Sequence, residues 1–305
     1  MIASTTFTNN VADTAQPESA LQINLDLRLG CDRHQKTILK HAYTHYPLGI
    51  SKVFRLEDNS PLSTSKRAYL YRTNSSPGLL AGDRLKTYLH LEADSAVYLL
   101  DQSATKVHSM PDPETCACTM SEIEIGDRAT LEYLQEPTIL FADSDFAERT
   151  KITMHSESAL SLGTIMVPGR LARGEKYDFR RYQSQIEIVS STGQLLLNEK
   201  SVIARAIAQQ CLYFSTEPIL GRLIVVLPES IANGVSLTQL NYQVKTLMNG
   251  DLMQGLKLSS VTSIQDRGFL FSLTSANVHR IQTGFKTLLD SLRRLQQQSP
   301  LPYSV

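Results

Sequence analysis

A two-residue period constrains this chain more than any other feature. Leu21, Ile23, Leu25, Leu27 and Leu29 alternate with polar residues, and Leu85, Thr87, Leu89 and Leu91 repeat the pattern. Side chains of a strand point alternately to opposite faces, so this pattern buries one face and wets the other. A unit of strand, polar turn, small residue and strand recurs over residues 89–99, 123–133 and 152–162. A looser copy over 186–197 turns at Ser190, Ser191, Thr192 and Gly193. The landmarks Ala96, Ala129 and Ala159 stand 33 and 30 residues apart (129 − 96 and 159 − 129), a spacing suited to stacked coils or successive sheet layers. A plain β-hairpin has the same local pattern, and either arrangement makes the region rich in strands joined by tight turns.

After about residue 200 the period changes. Ser236 followed by Gln239 forms a capping box, and Leu237, Leu240, Val244, Leu247 and Met248 follow at helical spacing up to Asn249 and Gly250. A longer amphipathic helix is predicted from Val278, Ile281, Phe285, Leu288, Leu289, Leu292 and Leu295, ending before Pro300. Strands are predicted at 220–227 and 268–273, and a helical piece at 201–212. Residues 1–20 are rich in Ser, Thr, Asn and Ala and read as a flexible tail. The expected fold is therefore mainly β: stacked strand pairs, β-helix-like or solenoid-like, form a core over 21–200. A small C-terminal α/β segment with two amphipathic helices, 201–305, packs on it.

The 30 Lys and Arg residues balance the 30 Asp and Glu residues, which argues against a nucleic-acid or anionic-membrane partner. The longest apolar runs, 96–100 and 223–227, are five residues long, far below the roughly 20 a membrane helix needs. No apolar run follows Met1, and the first basic residue is Arg28, so a cytoplasmic location is expected. Cys31, Cys116, Cys118 and Cys211 are too sparse for a disulfide scaffold. Cys116 and Cys118, with His108 and Met110 upstream, could suit a soft metal, but one close pair reads more simply as two residues on one strand face. His41 and His45 lie in a segment that looks extended, and that pair is not taken as a site. The chain has no Gly-x-Ser-x-Gly elbow, no phosphate loop, no dinucleotide fingerprint and no His-Glu-x-x-His motif.

Three segments stand out. Residues 75–83 join Pro77 and Gly78 to Gly82 and Asp83; residues 102–107 run from Gln102 through Thr105 to Lys106; residues 169–175 bracket Arg170 and Arg173 between Gly169 and Gly174 and close on Glu175. Taken singly, each is a tight turn with solvated charges. Taken in order, together with Leu131, Glu132, Tyr133 and Leu134 leading to 138–141, they resemble the urease accessory protein UreD (UreH) family over about 25–200. The chain departs from the family pattern at Ser76-Pro77-Gly78, at Leu134-Gln135-Glu136-Pro137, and in having no Trp.

The resemblance implies a non-enzymatic chaperone that binds the apo-urease subunits and, with UreF and the GTPase UreG, delivers nickel to the urease active site through an internal passage. It implies no tightly bound cofactor, with nickel(II) only in transit. Such a passage should offer carboxylates, carbonyls and water rather than a Cys/His cage. The carboxylates in or beside the family-like segments, Asp83, Glu132, Glu136 and Glu175, are the candidate transit ligands. Gly78, Gly82, Gln102, Thr105, Lys106, Arg170 and Gly174 are the candidate structural or partner-binding residues, with Lys106 and Arg170 holding loops by charge. Two other functions compete with this one: a β-repeat interaction module without a metal role, and an enzyme using an unrecognised carboxylate and Lys106. In the enzyme, Lys106 should face an open cleft.

Overall fold

The computed structural model describes residues 22–56, 66–210, 216–232 and 255–295. In chain order the strands are β1 (Ile23–Cys31), β2 (Thr37–Thr44), β3 (Leu48–Ile50), β4 (Ala68–Asn74), β5 (Arg84–Leu91), β6 (Ala96–Asp101), β7 (Thr105–Val107), β8 (Ala117–Ile125) and β9 (Thr130–Leu134). They continue with β10 (Thr138–Leu140), β11 (Asp145–Met154), β12 (Ala159–Val167), β13 (Arg181–Ser190), β14 (Leu195–Ala204), β15 (Ile219–Val226), β16 (Leu256–Ile264) and β17 (Gly268–Ser275). One sheet runs β14-β13-β11-β8-β5-β1-β2; the other runs β16-β17-β15-β12-β9-β6-β4-β3, with β10 and β7 beside it. Both are mixed and neither closes into a barrel. Their interiors pair in parallel, and β2, β14, β3 and β15 to β17 add antiparallel pairs.

The repeated units are not hairpins. Each turn hands the chain from the first sheet to the second, so β5 and β6, β8 and β9, and β11 and β12 lie in different sheets. Leu89 lies beside Ile123 and Ile123 beside Ile152; across the core, Ala96 lies beside Thr130 and Thr130 beside Ala159. Both ladders therefore step by the same offsets, 34 and then 29 residues (123 − 89 and 152 − 123). The Ala129 landmark is one residue out of register, because Thr130 is the residue that faces Ala96.

Between the sheets, Leu27, Leu89, Ile123 and Ile152 meet Leu70, Leu99, Leu131 and Leu160 in one buried cluster. The outer face of the second sheet is covered by the long helix Val278–Leu295, whose Ile281, Phe285, Leu288, Leu289 and Leu292 pack on Leu223, Val225 and Phe271. The helix comes so close that a Cβ on Gly221 would stand 2.4 Å from an Ile281 methyl. The expected strands at 220–227 and 268–273 are β15 and β17, and they extend the second sheet directly from β12. Where a helical piece was expected over 201–212, β14 runs on to Ala204 and the helix is the short Arg205–Ala208. The helix predicted over 236–248 lies outside the described residues, as do Cys211 and the expected tail. Among the described residues no helix is long and apolar enough to cross a membrane.

Burying two leucines of one helix face carries a large part of that layer's stability, since truncating a single buried leucine costs about 2–5 kcal/mol. A Leu288→Asp, Leu292→Asp chain is expected to lose cooperative unfolding in urea or to become insoluble. A wild-type urea midpoint would show that the helix does not depend on this face.

Candidate functional site

The inward-facing positions of the first sheet change character along the strands. Near the turns they are Leu89, Ile123, Ile152 and Ile188; toward the other end the same parity carries Thr87, Ser121, Thr150 and Ile186, then Thr119, Glu148 and Ser184. Register lines these up across the sheet: Thr87, Ser121, Thr150 and the apolar Ile186 form one rung, and Leu85, Thr119, Glu148 and Ser184 the next. Beyond them a second apolar cluster, including Leu79, Val107, Met110, Phe146 and Phe179, closes that end. A polar layer thus lies between two apolar ones. It forms an inter-sheet cleft of about 740 Å³, mouth included, lined on the opposite side by Arg72, Asp101, Thr105, Gln135 and Glu136.

Charge in this layer is partly paired. Arg72 on β4 donates from Nε to Oδ1 of Asp101, its register partner on β6, at 2.7 Å. The guanidinium stacks over the Tyr133 ring, 5.6 Å from its centroid. Tyr133 donates its hydroxyl proton to the same Asp101 oxygen at 3.1 Å. Burial opposes the charge on Arg72, but Asp101, Tyr133 and Glu148 more than offset it and hold the guanidinium above its ordinary value. Burial pushes the Glu148 carboxyl up, against hydrogen bonds from Tyr182 and Ser184 and the charges of Arg222 and Arg72. The Glu199 carboxyl is raised by burial too, with Arg222 at 3.3 Å working against the rise. Glu136 is raised by burial and by the neighbouring charge of Asp101.

Of the four candidate carboxylates, Glu136 lines the cleft. Glu132 does not: it neighbours the inward Tyr133 on β9 and so faces the helix side, where it takes Arg67 at 3.0 Å and Arg293 at 2.8 Å in a buried triad. Asp83 caps its own turn by accepting the Leu80 N–H at 2.7 Å. Glu175 is held by Arg170, which donates from Nε at 2.9 Å and stacks on Phe141; that hydrogen bond keeps the carboxyl low. Gly78 must be glycine, since a Cβ there would stand 2.4 Å from the Lys106 carbonyl oxygen. Gly82 and Gly174 occupy exposed turns at positive φ. Gln102 is exposed and its N–H donates to Arg72 O, while Thr105 reaches the cleft. Lys106 is exposed on β7.

Met110 lies in the apolar core. Among the described residues no three His, Cys, Asp or Glu side chains form a metal cage. The motifs missed Arg72, Asp101, Glu148, Tyr182, Glu199 and Arg222. Strand parity carried the signal for Glu148, which shares its face with Ile152.

Fold and layer together define a mainly β protein with a carboxylate-bearing cleft between two mixed sheets. A family model described as "UreD urease accessory protein" matches residues 22–304. The urease accessory protein UreD of Trichodesmium erythraeum (strain IMS101) is 39% identical over 92% of this chain and 98% of that protein. UreD of Lysinibacillus sphaericus (strain C3-41) is 35% identical over 51% of this chain and 56% of that protein, and UreD 2 of Brucella abortus (strain 2308) is 22% identical over 94% and 92%. The chain belongs to the UreD family of urease accessory proteins.

A carboxyl whose pKa is raised on folding adds stability below its unfolded value, and that stability is lost as pH rises through the folded value. Glu148 is such a group, and glutamine can still accept from Tyr182. Glu148→Gln is therefore expected to raise the urea midpoint at about pH 8, with the gain shrinking toward about pH 5. A gain that grows on acidification would contradict this electrostatic assignment.

Proposed function

We propose that this chain is a nickel-insertion chaperone and scaffold for urease, acting without catalysis in the cytoplasm. It binds the apo-urease subunits together with UreF and the GTPase UreG, and nickel(II) passes it as cargo rather than as a resident cofactor. Family membership supports the urease part of this reading. The observation that carries the nickel part is the inter-sheet layer, where Glu136 and Glu148 offer oxygen ligands among hydroxyls of Thr87, Thr119 and Ser121.

Nickel(II) accepts such ligands, and a route must bind weakly enough for release. Carboxylates spread along a cleft meet that need better than a thiolate and imidazole cage. The stacked strand pairs serve this purpose, since equal steps in both ladders keep the polar rungs opposite one another. An enzyme built on Lys106 would need that ammonium beside the carboxylates, whereas Lys106 is exposed and its neighbour Thr105 lines the cleft.

The test is co-expression with urease subunits, UreF and UreG in a host lacking its own copy. Glu136→Gln with Glu148→Gln should leave the complex intact and lower nickel per urease roughly tenfold, because ligand charge sets cation affinity over decades. Asp83→Ala with Glu175→Ala should act more weakly, through loop geometry. If only the second pair lowers nickel, the route follows the loops and not the cleft.

A further inference from the structure

We infer that Arg72 is the release element of the inter-sheet layer: by pairing with Asp101 it withholds that carboxylate from an arriving divalent cation, so the cation is passed on instead of kept. The inference rests on the passage reading above and concerns its regulation. Both oxygens of Asp101 are engaged, Oδ1 by Arg72 Nε at 2.7 Å and the Tyr133 hydroxyl at 3.1 Å, Oδ2 by the Glu136 N–H at 3.3 Å. The Asp101 side chain is 6% exposed, so it is the kind of dehydrated charge that would bind a divalent cation tightly if released from its partner. Arg72 is a guanidinium with a second role open to it, because its Nη groups have no hydrogen-bond acceptor among the described residues and the residue lines the cleft.

Charge count gives the consequence. Asp101, Glu136 and Glu148 face one cleft, and Arg72 is the guanidinium lining it with them. With Arg72 in place the cation meets the carboxylates of Glu136 and Glu148. Without Arg72, Asp101 loses its cationic partner and adds its charge to the same cleft, and ligand charge sets how tightly oxygen ligands hold a divalent cation. A fixed positive charge beside the route also lowers the dwell of any cation by direct repulsion.

The experiment loads the full chain, co-purified with its urease complex, with nickel(II) chloride, desalts it, and measures nickel retained per chain and nickel passed to urease. Arg72→Gln should retain roughly tenfold more nickel than wild type and pass less to urease. Arg72→Gln with Asp101→Asn should return retention to the wild-type level, and Arg72→Lys, which keeps the charge, should stay near it. A soluble, cooperatively folded Arg72→Gln chain that retains no more nickel than wild type would overturn the inference, as would equal retention by the single and double variants. If Arg72→Gln does not fold, Arg72→Lys decides, and strong retention there overturns it. High retention by Arg72→Gln with undiminished urease nickel would overturn the passage reading and the release role with it, whereas unchanged retention with normal transfer overturns the release role alone.

Discussion

Charged side chains lie out of water on both faces of the second sheet. An unpaired ion in such a place is costly, and removing one partner of a buried pair costs about 3–5 kcal/mol. The protein meets the constraint differently on the two faces of its second sheet. On the helix side, Glu132 is closed off by Arg67 and Arg293, which ties the end of the long helix and the start of β4 to the middle of the sheet. On the inner side, Arg72 with Asp101 and Arg222 with Glu199 leave Glu148 between them, bonded to a tyrosine hydroxyl. The first arrangement is complete and fixes geometry. The second includes Arg72, Asp101 and Glu148, which line the inter-sheet cleft.

The architecture makes the second arrangement a row. Because both parallel ladders advance by the same offsets, each polar rung of one sheet stays opposite the same part of the other. The turns that carry the family resemblance frame this row. Leu79, between Gly78 and Gly82, bridges to Val107 and lines the cleft, and Thr105 lines it from β7. Arg170 and Glu175 brace the loop beneath Phe141. Their charged members shape the ends of the layer, while its interior is built by residues outside those motifs.

Much of this was legible in the residues. Alternation identified the strands, the stripe from Val278 to Leu292 identified the long helix, and the turns at 92–95, 126–129 and 155–158 fell where the units predicted. Sheet membership was not legible, because a half-covered parallel ladder alternates just as an antiparallel one does; parallel sheets usually announce themselves by being apolar on both faces. The small-residue landmark at Ala129 missed the true register by one, since turn length, not residue size, sets the offset. Among site residues, Glu136 could be placed by its neighbourhood, but Glu132 could not, because one step along a strand reverses the face. Glu148 was readable by parity with Ile152. Arg72 was not, since its role comes from β6 lying beside β4, a pairing that no local pattern contains.

The route proposed for the cation is the space between the sheets. Its most direct test fills that space without touching a charge: Ser121→Trp on β8, facing the cleft, in a chain that remains soluble and still co-purifies with urease. Nickel per urease is expected to fall to the level found when the chain is omitted. Full nickel loading by that occluded chain would contradict it.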